Sequence, residues 1–368
     1  APDLRSGLGL SYQAVALLLF VLPLAVALLL EPPLLLRADR QGRKPFVVGG
    51  LIGMAAAQVA VGLAPSLPTV VLALPLIATA SGCACGAAQA TLVEADPARS
   101  EWWMTRWALS ATLGDLAAPL LLAAVAFCGG AWRQAFVVSG ALTALYAAAV
   151  ARRPFPAPLA APSSEAQPPA PSTWRVVAAA AGNRRLLAWL SGVFLCSFLD
   201  ELLLALGALH LAENLGLGAA ARAGVLAAFP IGAVGGLAVC ERLLARAAPR
   251  SVLAGSAACC TAAYLGWLAA PSAIWSGVLL ALVGASAAPL YPIAKAQAYR
   301  ALPGRPGAVN ALGQLFTPAE VALPFLLGVL ADRCGLLAAL LVLVLQPVGI
   351  LALALLSSRS SAPAETSR

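Results

Sequence analysis

The sequence predicts an all-α polytopic membrane protein, on three observations. Hydrophobic residues make up 61% of the chain and charged residues only 10%, against about 45–50% and about 25% in soluble proteins. The mean hydropathy is +0.89. The apolar residues fall in blocks of roughly 20 residues or more, long enough for a helix to cross a core of about 30 Å. Lys and Arg gather in the breaks between these blocks.

Taken in order, the blocks give eleven spans, at 13–36, 46–64, 69–93, 104–127, 133–151, 186–209, 223–240, 251–270, 273–294, 307–331 and 335–357. The first two are separated by a charged loop, Arg37-Ala38-Asp39-Arg40-Gln41-Gly42-Arg43-Lys44. Short breaks such as Ala64-Pro65-Ser66, Cys128-Gly129-Gly130 and Ala270-Pro271-Ser272 join antiparallel neighbours. Trp102, Trp103, Trp107, Trp132, Trp189, Trp267 and Trp275 lie close to span ends, where indole rings anchor at the interface.

Charge orients the spans. Of the 23 Lys and Arg residues, only Arg5, Arg133, Arg222 and Arg333 fall on one side, which makes the other side cytoplasmic. The loop 37–44 and the carboxyl terminus are then cytoplasmic. The formal charge of +8 is explained by this topology and calls for no nucleic-acid partner. The eight cysteines lie mostly inside spans, and His210 has no ligand-spaced neighbour, so neither a disulfide framework nor a metal site is expected. No cofactor is expected either, and no Ser/His/Asp constellation suggests an enzyme.

Arg152–Arg185 is rich in proline and reads as a disordered cytoplasmic linker. It divides the chain into an amino-terminal bundle (1–151, five spans) and a carboxyl-terminal bundle (186–358, six spans), followed by a tail (359–368).

The two halves repeat each other. Asp115 precedes Pro119 by four residues, as Glu320 precedes Pro324; Ala88-Gln89-Ala90 matches Ala296-Gln297-Ala298, and Pro23 matches Pro230, at separations of about 205 to 208 residues. Parallel repeats of half-domains mark transporters. The span 186–209 has no counterpart, so a further helix is expected before Ala1, giving twelve in the intact protein.

Asp39-Arg40-Gln41-Gly42-Arg43-Lys44 resembles the loop between the second and third helices of the major facilitator superfamily, with Leu35 in place of the first glycine of that pattern. Gly328–Gly335 is similar to the end of the family's eleventh helix, and Ala131-Trp132-Arg133 with Phe136 to its outer turn between helices five and six. The resemblance implies the major facilitator fold: two pseudo-symmetric bundles working by alternating access.

The physical role of the loop follows from its residues. Asp39 can accept hydrogen bonds from a helix amino terminus or from arginines, while Arg40, Arg43 and Lys44 can pair with carboxylates of the other half or with lipid phosphate. Gly42 completes the turn. Such contacts form in one rocked state and break in the other, which makes this a gating loop.

Ionisable residues inside spans cost roughly 2.5–3.5 kcal/mol each on insertion scales and so mark function. They are Asp115, Asp200, Glu201 and Glu320, with Glu31 nearer the cytoplasmic end; Lys295 lies close enough to the inner surface to snorkel. Gln89, Gln297, Asn310 and Gln314 are candidate polar lining, and His210 reads as interfacial. The acids can carry protons or bind a cation. The expected function is secondary transport of a small organic solute, proton-coupled, leaning to efflux of cationic or amphipathic compounds. The family's antiporter glycines are missing around Pro119, so proton-coupled uptake of a nutrient or metabolite is the alternative, and a non-transporting sensor or scaffold the distant one. The expected setting is a multi-pass monomer in the lipid bilayer of a bacterial inner membrane, with a small-molecule substrate and protons as its partners.

Overall fold

The computed structural model describes residues 17–156, 173–199 and 201–359. Within these, every regular element is helical. They are α1 (Leu22–Gln41, after a π turn at Leu17–Val21), α2 (Lys44–Gly62), α3 (Leu67–Ala95), α4 (Ser100–Phe127) and α5 (Trp132–Ala151); α6 (Thr173–Ala181), α7 (Arg184–Leu195), α8 (Glu201–Leu215) and α9 (Ala219–Leu226); α10 (Ala228–Leu244), α11 (Pro249–Leu268), α12 (Ala273–Ala287) and α13 (Leu290–Ala301); and α14 (Pro306–Gly313), α15 (Thr317–Cys334), α16 (Leu336–Leu343) and α17 (Leu345–Arg359). Ten helical stretches among the described residues are long and apolar enough to cross a membrane. The protein is an integral, multi-pass membrane protein.

Three expectations are corrected. The span expected at 186–209 is interrupted: α7 ends at Leu195, a turn covers 196–199, and α8 runs on to Leu215. The interruption satisfies its own backbone. Ser197 Oγ donates to the Phe194 carbonyl at 2.7 Å, and Gln346 Oε1 accepts the Leu199 N–H at 2.8 Å. The charged loop is also shorter than expected, since α1 stays helical through Gln41 and α2 begins at Lys44. Gly42, at φ 89°, makes the reversal. Finally, the linker is not irregular throughout: α6 is a helix, and the Asn183 side chain caps α7 by accepting from Arg185 N and Leu186 N, both at 3.1 Å. Its proline-rich middle lies outside the described residues.

The chain forms two compact units. Unit 1 comprises Ala1–Pro97, Asp115–Gly182 and Leu302–Thr317. Inside it, α2 packs closely on α3 and α5 through small residues: a Cβ at Gly50 would meet Ala80 and Ala84, and one at Gly140 would meet Val59 and Ala55. Val61, Ala57, Val70 and Ala73 form its apolar core. On the outer side Arg133 Nη1 donates to the Ala64 carbonyl at 2.7 Å.

Unit 2 comprises Ala98–Gly114, Asn183–Ala301 and Pro318–Arg368. Here Gly232 and Gly236 of α10 let that helix touch the backbone of α12 at Ala281 and Ala285. Its core gathers Leu199, Leu203, Tyr264, Trp267, Leu280, Val283 and Leu340, all at most 1% exposed. Each unit therefore contains a segment from the other half of the sequence.

Candidate functional site

The site is built first along α1. Glu31, Leu35 and Asp39 are spaced four apart, so they share one helix face. In unit 1 this face meets α3 and the segment 302–317 at three levels. At the first, the Glu31 side chain is 5% exposed, and its carboxylate accepts a hydrogen bond from Gln314 Nε2. Gly82 on α3 leaves the space that this carboxylate fills. Thr317 Oγ1 donates to Gln314 Oε1 at 3.0 Å, which turns the amide's NH2 group toward Glu31. At the second level Leu35 lies over Gly86, whose carbonyl accepts from Asn310 Nδ2 at 3.3 Å.

At the third level Asp39 Oδ2 accepts the Gly307 N–H at 2.8 Å. Pro306 opens α14 and has no N–H, so Gly307 is the first free donor of that helix. The Asp39 charge also lies at the positive end of the α14 dipole. A Cβ on Gly307 would run into the Leu35 carbonyl and the Asp39 carboxylate. The glycine absent at position 35 is thus supplied from the opposite side of the contact.

Arg43 holds Asp39 in place. Its Nη2 lies 3.2 Å from Asp39 Oδ1, and its Nη1 lies 2.6 Å from Glu94 Oε2. Burial acts to lower the Arg43 pKa, but the hydrogen bond and charge of Glu94, followed by those of Asp39, outweigh it and hold the group above its ordinary value. The guanidinium therefore stays charged. Lys44 Nζ lies 6.0 Å from the centre of the Phe155 ring, and Arg40 is exposed. A cavity of about 490 Å³ opens here, lined by Asp39, Arg43, Lys44, Glu94, Phe155 and Gly304 among others.

Unit 2 holds a second polar cluster, which the sequence did not announce. Glu101 sits in the first turn of α4, with its side chain 3% exposed. Its Oε1 accepts from Gln297 Nε2 at 2.8 Å, and its Oε2 lies 2.8 Å from Arg300 Nη2. Arg300 also donates to Ser100 Oγ at 2.8 Å and to the Ala98 carbonyl at 3.1 Å. Nearby, Arg106 pairs with Glu241 at 3.0 Å on the surface.

The remaining predicted residues divide clearly. Gln89 is buried on α3 and has a polar partner. Asp115 and Glu320 occupy matching places, each four residues before a proline inside its helix, and each is exposed. Glu201 begins α8, while Asp200 lies outside the described residues. Two expectations fail. Lys295 is enclosed rather than exposed: it is 8% exposed, with Nζ 5.4 Å from the Tyr299 ring centre. His210 is not a surface residue: it is 6% exposed, bonded through Nδ1 to Asn214 at 3.0 Å and tilted against Trp267. Among the described residues, no three His, Cys, Asp or Glu side chains gather as metal ligands.

The family described as Major Facilitator Superfamily matches residues 1–319. No curated protein sequence matches the chain. Among solved structures, FucP in the outward conformation superposes with a TM-score of 0.74 at 17% identity, covering 94% of this chain and 90% of its own. A variant of the Escherichia coli fucose:proton symporter FucP gives 0.73 at 17% identity, with 92% and 87% covered. The human organic anion transporter MFSD10 (TETRAN) gives 0.67 at 16% identity, with 92% and 83% covered. At such identities these structures share the fold alone. The match over residues 1–319, joined to the ten membrane-crossing helices, carries the assignment: the chain belongs to the Major Facilitator Superfamily.

Proposed function

We propose that the protein is a proton-coupled secondary transporter of a small organic solute, in which the halves of the chain rock about a central path. The observation that carries this reading is the buried bond between Glu31 and Gln314. It places a carboxylate inside a span, with a neutral amide as its hydrogen-bonding partner and glycine beside it. Such a group can be carried through the membrane interior uncharged once it takes a proton. The same helix face bears Asp39, so proton loading at Glu31 and release of the 302–317 segment act on one helix. FucP is a proton symporter of the same fold, which supports proton coupling.

Gln89, Gln297, Asn310 and Gln314 line the solute path in this reading, with Asp115, Asp200, Glu201 and Glu320 as further acids along it. Asp39, Arg40, Gly42, Arg43 and Lys44 form the cytoplasmic gate, and the bundles 1–151 and 186–358 are the rocking bodies, in a bacterial inner membrane. Efflux of cationic or amphipathic compounds was the leading expectation from an acid-only set of membrane charges. Buried Lys295 breaks that set, and it favours proton symport of a nutrient or metabolite instead.

The test uses the protein in proteoliposomes with an imposed pH gradient. Glu31→Gln is expected to abolish gradient-driven accumulation while leaving solute counterflow intact, because the neutral amide mimics the permanently loaded state. Undiminished gradient-driven accumulation in Glu31→Gln would overturn the assignment of Glu31.

A further inference from the structure

Lys295 stands on α13 with Tyr291 four residues before it and Tyr299 four residues after it, so the three share one helix face. Its side chain is 8% exposed, and Tyr299 is 3% exposed. Among the described residues no carboxylate lies within 4.0 Å of its ammonium and no hydrogen bond satisfies it. Its neighbours Ile293, Ala294, Ala296 and Ala298 are wholly buried and apolar. Glu320 of α15 makes no ion pair with Lys295 within 4.0 Å. Arg300, one and a half turns further on, is fully engaged by Glu101 and Ser100 and cannot release either to Lys295.

A lysine enclosed within a membrane span without an ion-pair partner is costly, and such residues persist where a counter-ion arrives during function. Gln297 and Arg300 are bound into the cluster with Glu101, which leaves Lys295, with Nζ 5.4 Å from the Tyr299 ring centre, as a buried cation of α13 without an ion-pair partner among the described residues. Lys offers a compact point charge to carboxylate or phosphate oxygens, which suits an oxygen-bearing anion.

From this cluster we infer that the transported solute is a small organic anion, whose carboxylate or phosphate group binds Lys295 on the Tyr291–Lys295–Tyr299 face. The inference rests on the transporter reading above and adds the substrate class.

The test uses the full protein, purified for ligand-induced thermal stabilisation and reconstituted for uptake. The probes are lactate and benzoate as carboxylates, glycerol 3-phosphate as a phosphate, tetraethylammonium and choline as cations, and glucose as a neutral solute. At least one anion is expected to stabilise the protein, and the carboxylate and phosphate arms distinguish which group is recognised. Lys295→Met should weaken that binding about 10- to 150-fold, the range for losing a charge-assisted bond. Lys295→Arg should retain most of it. Removal of an unpaired buried charge leaves Lys295→Met folded, with a melting temperature at or above the parent's; Lys295→Gln serves as a second neutral variant.

Stabilisation by the cations or glucose alone, or unchanged anion affinity in both neutral variants, overturns the inference. The two readings fail separately. Gradient-driven uptake of a cation or a neutral solute leaves proton coupling standing and removes the anion site. Lys295-dependent anion binding without any response to a pH gradient does the reverse.

Discussion

Asp39→Ala tests the contact between α1 and α14 directly. The substitution removes a charged acceptor from the Gly307 N–H, at 2.8 Å in the parent. Hydrogen bonds to charged groups contribute about 1.5–3 kcal/mol, and the Asp39 side chain is only 14% exposed, so solvent screens little of this. Arg43 keeps Glu94 but loses its 3.2 Å contact with Asp39, so the loss is shared between that pair and α14, where the exchange assay reads it. Opening of the first turn of α14 should become about 10 to 150 times more frequent. Hydrogen–deuterium exchange followed by mass spectrometry on the peptide covering 302–314 reads this as faster exchange by that factor. Asp39→Asn keeps a neutral acceptor and should fall between, with about 1–1.5 kcal/mol lost. Exchange in Asp39→Ala that matches the parent over 302–314 would refute the idea that Asp39 holds this segment.

Further outcomes follow from the same physics. Gln346→Leu strands the Leu199 N–H in an apolar setting and should cost about 1–3 kcal/mol, read as a lower melting temperature. In a double-mutant cycle, Glu101→Ala and Arg300→Ala should each destabilise the protein, with a coupling of about 1–3 kcal/mol between them because each leaves the other's partners unpaired. Additive losses would mean that the pair does not act as one unit.

The helices were legible because each apolar block is long and the breaks carry Pro, Gly or charge. The interruption at 196–199 was not, because Cys196-Ser197-Phe198-Leu199 contains neither Gly nor Pro. Its one trace was Gln346, a lone amide in a strongly apolar run whose partner lies 147 residues away. Asp39 could be singled out because its loop packs several informative residues into one stretch. Glu101 could not, since Gln297 and Arg300 reach it from about two hundred positions later and only the fold brings them together. The repeat did flag Gln89 and Gln297, both of which are buried and bonded. Lys295 was placed near the surface by its distance from the span end, which ignores that α13 runs on to Ala301 and that its neighbours enclose the side chain. Leu35 looked like a lost glycine, and no local pattern points to Gly307 as the residue that restores the close approach.

Pro32 and Pro33 follow Glu31 directly inside α1. Neither has an N–H, so the carbonyls of Leu28 and Leu29 lose the donors that would brace them one turn on. Bending stiffness drops at that point, between the level of Glu31 and the level of Asp39. The helix can therefore act as two stiff rods joined by a compliant coupling. A torque applied where the proton binds is passed to the Asp39 end as a change of tilt, without the whole span having to slide.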